Sequence, residues 1–123
     1  MNRTSIEQSK YLLELGLAPE STDMSYPHLI RNGSDTYDST PVFGEFDYPY
    51  EFPCWSYDRL FEILTENNIG FEYKHARLSG HENIEIEVFK FNEEEDYIFR
   101  KHFKSILEAV EYCLENGYIK KGE

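Results

Sequence analysis

The chain is poor in the features that most often announce a chemistry. It holds two cysteines, Cys54 and Cys113, too few for a disulfide framework, so each reads as a small apolar thiol packed in a core. Its seven glycines are scattered, and none sits in the spaced cluster between strand and helix that cradles a nucleotide phosphate. Neither a serine nucleophile elbow nor an HExxH zinc helix occurs. No apolar run approaches a membrane-spanning length, and residues 1–8 lack the apolar core of a signal peptide; the expected location is the cytoplasm. Bases are scarce: 12 Lys and Arg against 24 acids leave a net charge of −12. That charge repels nucleic-acid phosphates and anionic membranes over the range that salt does not screen. Direct binding to nucleic acid or membrane is therefore not expected. There is no internal repeat, low-complexity tract or composition break, and 123 residues fit one α+β domain.

What is present begins with a helix over 105–117. Ser105 followed by Glu108 is a capping box, with the hydroxyl serving a first-turn N–H and the carboxylate reaching back to the cap. Ile106, Leu107, Val110, Cys113 and Leu114 recur at three- and four-residue spacing, which makes one buried stripe, and Glu108, Glu111 and Glu115 fall outside it. Gly117 can take the left-handed backbone that closes the helix, with Tyr118 and Ile119 folding back and Lys120 and Lys121 at the carbonyl end. A first helix starts at a Thr4/Glu7 box, buries Ile6, Leu12, Leu13 and Leu15, and closes at Gly16 with Leu17 over its end. A second is capped by Ser56, carries Tyr57, Leu60, Phe61 and Leu64 on one face and Asp58 in its first turn, and ends near Asn67 and Asn68.

Strands follow from period two. Ile69, Phe71 and Tyr73 alternate with Glu72 and Lys74, and Ile84, Ile86 and Val88 alternate with Glu85 and Glu87, with a turn over 79–83 between them. A third strand over 97–103 follows the acidic turn at 92–96. The expected product is a three-stranded antiparallel meander packed by about three helices on one face. Phe89 and Phe91 fall off the apolar face, which calls for a bulge or a partly covered second face. Between the first two helices, residues 19–55 hold all five prolines and seven acids against Arg31 alone, half of the net charge. They are expected to form a long irregular connection, with at most a short strand at 28–31 or 37–43, interrupted by the turn-prone run at 32–35.

That connection is the candidate binding surface: Phe46, Asp47, Tyr48, Tyr50, Glu51 and Trp55 interleave rings and carboxylates. Such a set resembles a glycosidase floor only if two carboxylates face each other across a cleft; the preferred reading is rings pinning a loop while acids face water. Of the four histidines, His75 and His102 could fall on neighbouring strands, with Glu85 or Glu87 completing a metal set; His28 and His81 lie in the acidic segment and at the first hairpin turn. No pair has a known ligand spacing, and no metal, cofactor or catalytic residue is expected. Cys54 lies beside Pro53, Trp55 and acids, surroundings that raise a thiol pKa rather than activate a nucleophile.

Four stretches carry a resemblance: Glu7-Gln8-Ser9-Lys10-Tyr11-Leu12-Leu13-Glu14-Leu15-Gly16-Leu17, then Asp23-Met24, Pro53-Cys54-Trp55-Ser56, and 109–121 with its Leu-Glu-Asn-Gly-Tyr-Ile-Lys-Lys. Together they make the chain similar to small uncharacterised proteins of gut bacterial genomes and their prophages. The resemblance implies a mobile-element context, with no established activity and no site residue to carry over. The leading functional expectation is a non-catalytic accessory protein that binds a protein partner, as monomer or homodimer. The alternatives are an acidic mimic of nucleic acid and a metal-binding or hydrolytic module using histidines and carboxylates. A mimic requires its carboxylates in a regular stripe on a folded face rather than scattered through loops.

Overall fold

The computed structural model describes residues 2–31, 34–44, 51–78 and 81–122. Helices α1 (Ile6–Glu14), α2 (Tyr57–Glu66) and α3 (Ile106–Glu115) are each delimited by a serine, because Ser5, Ser56 and Ser105 accept the N–H three residues on. The α1 cap is one residue later than the sequence pattern suggests. Gln8 returns the bond to the Ser5 N–H at 2.8 Å, whereas Thr4 is fully buried, its hydroxyl accepting the Trp55 N–H at 3.0 Å and sharing a 2.7 Å bond with Ser9. Thr4 also pairs its backbone with Trp55, which turns its side chain inward and leaves the capping position to Ser5. At α3 the Glu108 carboxylate faces the N–H of Lys104, just ahead of the cap.

All three helices close in the same way. Gly16, Asn68 and Gly117 take φ of 104°, 58° and 76°, and the next residue donates back five positions: Leu17 to Leu12, Ile69 to Leu64, Tyr118 to Cys113. These are Schellman closures, which tuck an apolar residue under the helix end; Leu17 and Ile69 are buried and Tyr118 packs against the core. Asparagine serves at position 68 because it tolerates the left-handed region better than other side chains with a Cβ.

The meander is formed by the strands Gly70–Leu78, His81–Phe91 and Tyr97–Phe103, paired antiparallel in chain order. The first two run further than their alternation suggested: Ala76 pairs with Asn83 and Leu78 with His81, so most of the expected turn belongs to the ladder. Ile86, Val88 and Phe99, with the partly buried Phe71 and Phe103, supply the sheet side of a core completed by Leu12, Trp55, Leu60, Leu64 and the apolar stripe of α3. A register shift falls at Lys90/Phe91, whereas Phe89 stays in register opposite Gly70 and Arg100, on the same face as Glu87.

Residues 19–55 depart most from the expected irregular connection. In chain order the described residues among them hold a 3-10 turn at Pro19–Ser21 and five short strands: β1 (Met24–Tyr26), β2 (His28–Arg31), β3 (Ser34–Tyr37), β4 (Val42–Phe43) and β5 (Phe52–Cys54). The three meander strands are therefore β6, β7 and β8. Strands β4-β1-β5 form a second antiparallel sheet, and β2-β3 a hairpin. Prolines fit because Pro53 lies on an edge strand, where a missing donor is harmless, while Pro27 and Pro41 fall outside strands. Met24, Tyr26 and Cys54 make a small second core with Ile6, Tyr37 and Phe52. Among the described residues no helix is long and apolar enough to cross a membrane.

Candidate functional site

The solvent side of the helices is where charge concentrates. Glu7, Glu14, Asp58, Glu62, Glu66, Glu108, Glu111 and Glu115 stand against Lys10 and Arg59 alone, so three helices carry half the net charge. On α2 the acids fall at four-residue steps, about 6 Å apart along the axis, and on α3 at steps of three and four, because the apolar stripe occupies the intervening positions. Each helix ends on a glutamate and has no base in its last turn. A carboxylate there opposes the helix dipole, at a cost of roughly 0.3–1 kcal/mol each at low salt. Helix stability therefore does not account for this pattern.

The two stripes are not equivalent. On α2, Arg59 pairs with Glu62 at 3.3 Å and Glu66 at 2.8 Å, and its Nε donates to the Ser21 carbonyl at 2.7 Å. Among the described residues, no base clamps the carboxylates between α1 and α3. Tyr11 donates to Glu115 at 3.0 Å. Its phenol is pushed above the ordinary value, first by that bond, then by the Glu115 charge, with burial and the charges of Glu111 and Glu14 adding. Glu111 is held above the usual carboxylate range, first by burial and then by Glu115 and Glu108. Glu115 and Glu108 thus act on the Glu111 carboxylate, and Glu115, Glu111 and Glu14 act on the Tyr11 phenol.

The outer face of the β6–β8 sheet, away from the helices, is built differently. Glu87 is only 2% exposed; Arg100 Nε meets one of its carboxylate oxygens at 2.7 Å and His102 Nε2 the other at 2.7 Å. The second His102 nitrogen faces Glu85 at 3.4 Å. Strand register makes this possible, since Glu87 pairs directly with His102. Beside the cluster Phe91 stacks on Tyr97 at 4.5 Å, with Phe89 edge-on to both. Gly70 gives Phe89 its place, since a Cβ there would lie 2.3 Å from the ring.

Of the residues singled out in the sequence, Phe46, Asp47, Tyr48 and Tyr50 lie outside the described residues. Glu51 accepts the hydroxyl of the buried Ser25. Trp55 is fully buried, with its indole N–H on Ser21 Oγ at 3.0 Å, so it fills the core instead of presenting a ring to a partner. A signal for this stood in the sequence: Trp55 precedes the Ser56 cap and Leu60 is the fourth helical residue, the hydrophobic-staple positions, and both are wholly buried in one cluster.

His75 and His102 are not on neighbouring strands, because β7 runs between β6 and β8. The expected company of His102 with Glu85 and Glu87 is present, but Arg100 occupies the same carboxylate. His28 packs on Tyr37 at 5.5 Å between ring centres, and the side chains of His75 and His81 lie outside the described residues. Among the described residues no three His, Cys, Asp or Glu side chains are grouped as a metal ion would need. Burial pushes the Cys54 thiol up, against the pull of Thr4, Tyr26 and Arg3, and drives Cys113 to about 12; both are free thiols in the interior. What the sequence reading missed is the meeting of α1 and α3 at the Tyr11–Glu115 hydrogen bond, which joins residues far apart in the chain. No protein-family model, curated protein or solved structure matches the chain.

Proposed function

We propose that this is a non-catalytic interaction protein that docks on a basic, nucleic-acid-handling protein through its acidic helix layer. The observation that carries the reading is the seam of Glu14, Glu111 and Glu115 around Tyr11, where the charges acting on Tyr11 and Glu111 are all carboxylates. Mutual repulsion there is relieved when a cationic surface arrives, so the seam favours a basic partner over water. Carboxylates at three- and four-residue steps on α2 and α3 are what the mimic reading draws on, while Glu93, Glu94, Glu95 and Asp96 form a separate exposed acidic turn. The mobile-element setting rests on the resemblance alone. A cytoplasmic location suits two free, buried thiols.

The test is capture of partners from bacterial lysate on the immobilised protein, washed at low salt, at high salt and with duplex DNA as competitor. A stoichiometric basic partner released by salt and by DNA, and lost when Glu14, Glu111 and Glu115 are all changed to Gln, is the expected result. A partner retained at high salt and by the triple variant overturns it. Such a partner would favour a second reading, docking on the outer sheet face, where Phe91, Tyr97 and Ile98 are each close to half exposed; Tyr97→Ala would then weaken it.

A further inference from the structure

An open groove of about 540 Å³ lies where the N-terminal segment crosses between α1 and α2, lined among others by Arg3, Ser5, Gln8, Tyr26, Ser39 and Tyr57. Its volume falls in the range of small-molecule sites. Its floor is tied by hydrogen bonds: Tyr26 OH donates to the Thr4 carbonyl at 2.6 Å, and Thr4 Oγ1 holds Ser9 and the Trp55 N–H. One wall is the reciprocal Ser5–Gln8 cap, which uses the Gln8 carbonyl oxygen and leaves its NH2 as a donor. Arg3 is fixed beside the α2 cap by its backbone bridge to Ser56, and Asn2 accepts the Tyr57 N–H.

Arg3 itself is the anomaly. Arg59 and Arg100 each hold carboxylates, yet among the described residues no carboxylate pairs with Arg3, in a chain with twice as many acids as bases. Its guanidinium sits close enough to Tyr26 to draw that phenol down against burial. A half-buried guanidinium that meets a phenol but no carboxylate, among hydroxyl and amide donors, is a cradle for an oxyanion. Glu7 on the same rim and the overall charge of −12 both oppose a second negative charge on the ligand. Tyr57 adds an aromatic side chain to the lining.

We propose that this groove binds a small aromatic monocarboxylate, with its carboxylate on Arg3 and its ring against Tyr57. The site is separate from the α1–α3 seam and stands whether or not that seam binds a partner. The test is a titration of the full chain with benzoate, followed by amide NMR shifts and calorimetry, with benzamide as the uncharged isostere and phenyl phosphate as the dianion. Saturable shifts at Arg3, Gln8, Ser39 and Tyr57 are expected, with benzamide weaker by about tenfold or more and phenyl phosphate weaker than benzoate. Arg3→Gln should weaken benzoate by about the same factor, while Lys104→Gln, which removes an equal charge elsewhere, should leave it unchanged. The proposal is overturned if millimolar benzoate gives no saturable shift, if benzamide binds as well, or if Arg3→Gln binds benzoate as the parent does. The benzamide comparison is made on the unaltered chain, so it decides even if Arg3→Gln folds poorly.

Discussion

Strands β6, β7 and β8 hold four acids, Glu72, Glu82, Glu85 and Glu87, against five bases, Lys74, Arg77, Lys90, Arg100 and Lys101, whereas the three helices hold eight acids against two bases. Two surfaces of one small fold thus treat charge in opposite ways. On the sheet, Glu87 is buried and compensated by Arg100 and His102. Between α1 and α3, Glu111 lies in the field of Glu115 and Glu108, and Tyr11 in that of Glu115, Glu111 and Glu14. A merely soluble acidic protein needs only a net charge, and spreading that charge would provide it. Compensation at Glu87 and uncompensated carboxylates beside Tyr11 are the contrast on which the proposed encounter with a basic partner rests.

The comparison is broken most severely at Glu87. Glu87→Ala removes the one carboxylate shared by Arg100 and His102 and leaves a space in a site that is 2% exposed. Because both partners are about half exposed, water can solvate them afterwards, so the loss falls below the 3–5 kcal/mol of a fully buried broken pair; about 1–3 kcal/mol is expected. Urea unfolding followed by circular dichroism measures it. A change within about 0.5 kcal/mol would mean that the cluster does not serve the fold and that the contrast between the faces is one of exposure alone.

Much of this contrast could be read from sequence, and the part that could not has a physical reason. Helix ends are local chemistry: a serine, a Gly or Asn, and an apolar residue within one turn fix them, so the ends of α2 and α3 are legible nearly to the residue; the exceptions are the Thr4/Ser5 choice at α1 and Glu108, which reaches Lys104 instead of the cap N–H. Strands of seven to eleven residues display a period of two often enough to be recognised. The two- to four-residue strands of β1 to β5 display almost none, and pairing Met24 with Cys54 is a non-local event that no window contains. Alternation put Glu87 on the solvent side, correctly for its face but not for its burial. That burial needs the register that sets His102 opposite it. Aromatic density in residues 19–55 drew attention to a surface, yet Trp55 lies in the core and Glu51 is engaged with Ser25.

At the seam the opposite sign is expected. Replacing Glu111 with Gln removes one charge from between Glu108 and Glu115 without altering the side chain's shape. It should therefore stabilise the fold by about 0.2–0.5 kcal/mol, the size of a like-charge pair on a helix. Glu115→Gln should act likewise, with added relief at the helix C-terminus, although it also gives up the carboxylate that accepts from Tyr11. Thermal unfolding in low-salt buffer resolves shifts of this size if the variants are compared side by side. Destabilisation by Glu111→Gln would mean that the seam is structurally compensated after all, and would remove the main support for a cationic partner.

The smallest effect is the most discriminating, because pH and salt alter the seam without any change of residue. Glu111 binds its proton more tightly in the folded chain than at its ordinary value of 4.5. Over the window that begins at that value and extends upward to the raised one, the folded state therefore holds more protons than the unfolded state, and stability falls as pH rises. The advantage of Glu111→Gln over the parent should be fully developed at neutral pH, shrink as pH falls through the raised value, and vanish below about 4.5, where the parent carboxyl is neutral in both states. Raising ionic strength at neutral pH should shrink it too, since charges at this surface are screened over about 10 Å at 0.1 M salt. Unfolding of parent and variant across pH at two salt concentrations measures both trends. An advantage that stayed constant across pH would trace to the amide's own contacts instead of to charge, and the seam would then be no different in kind from the compensated face of the sheet.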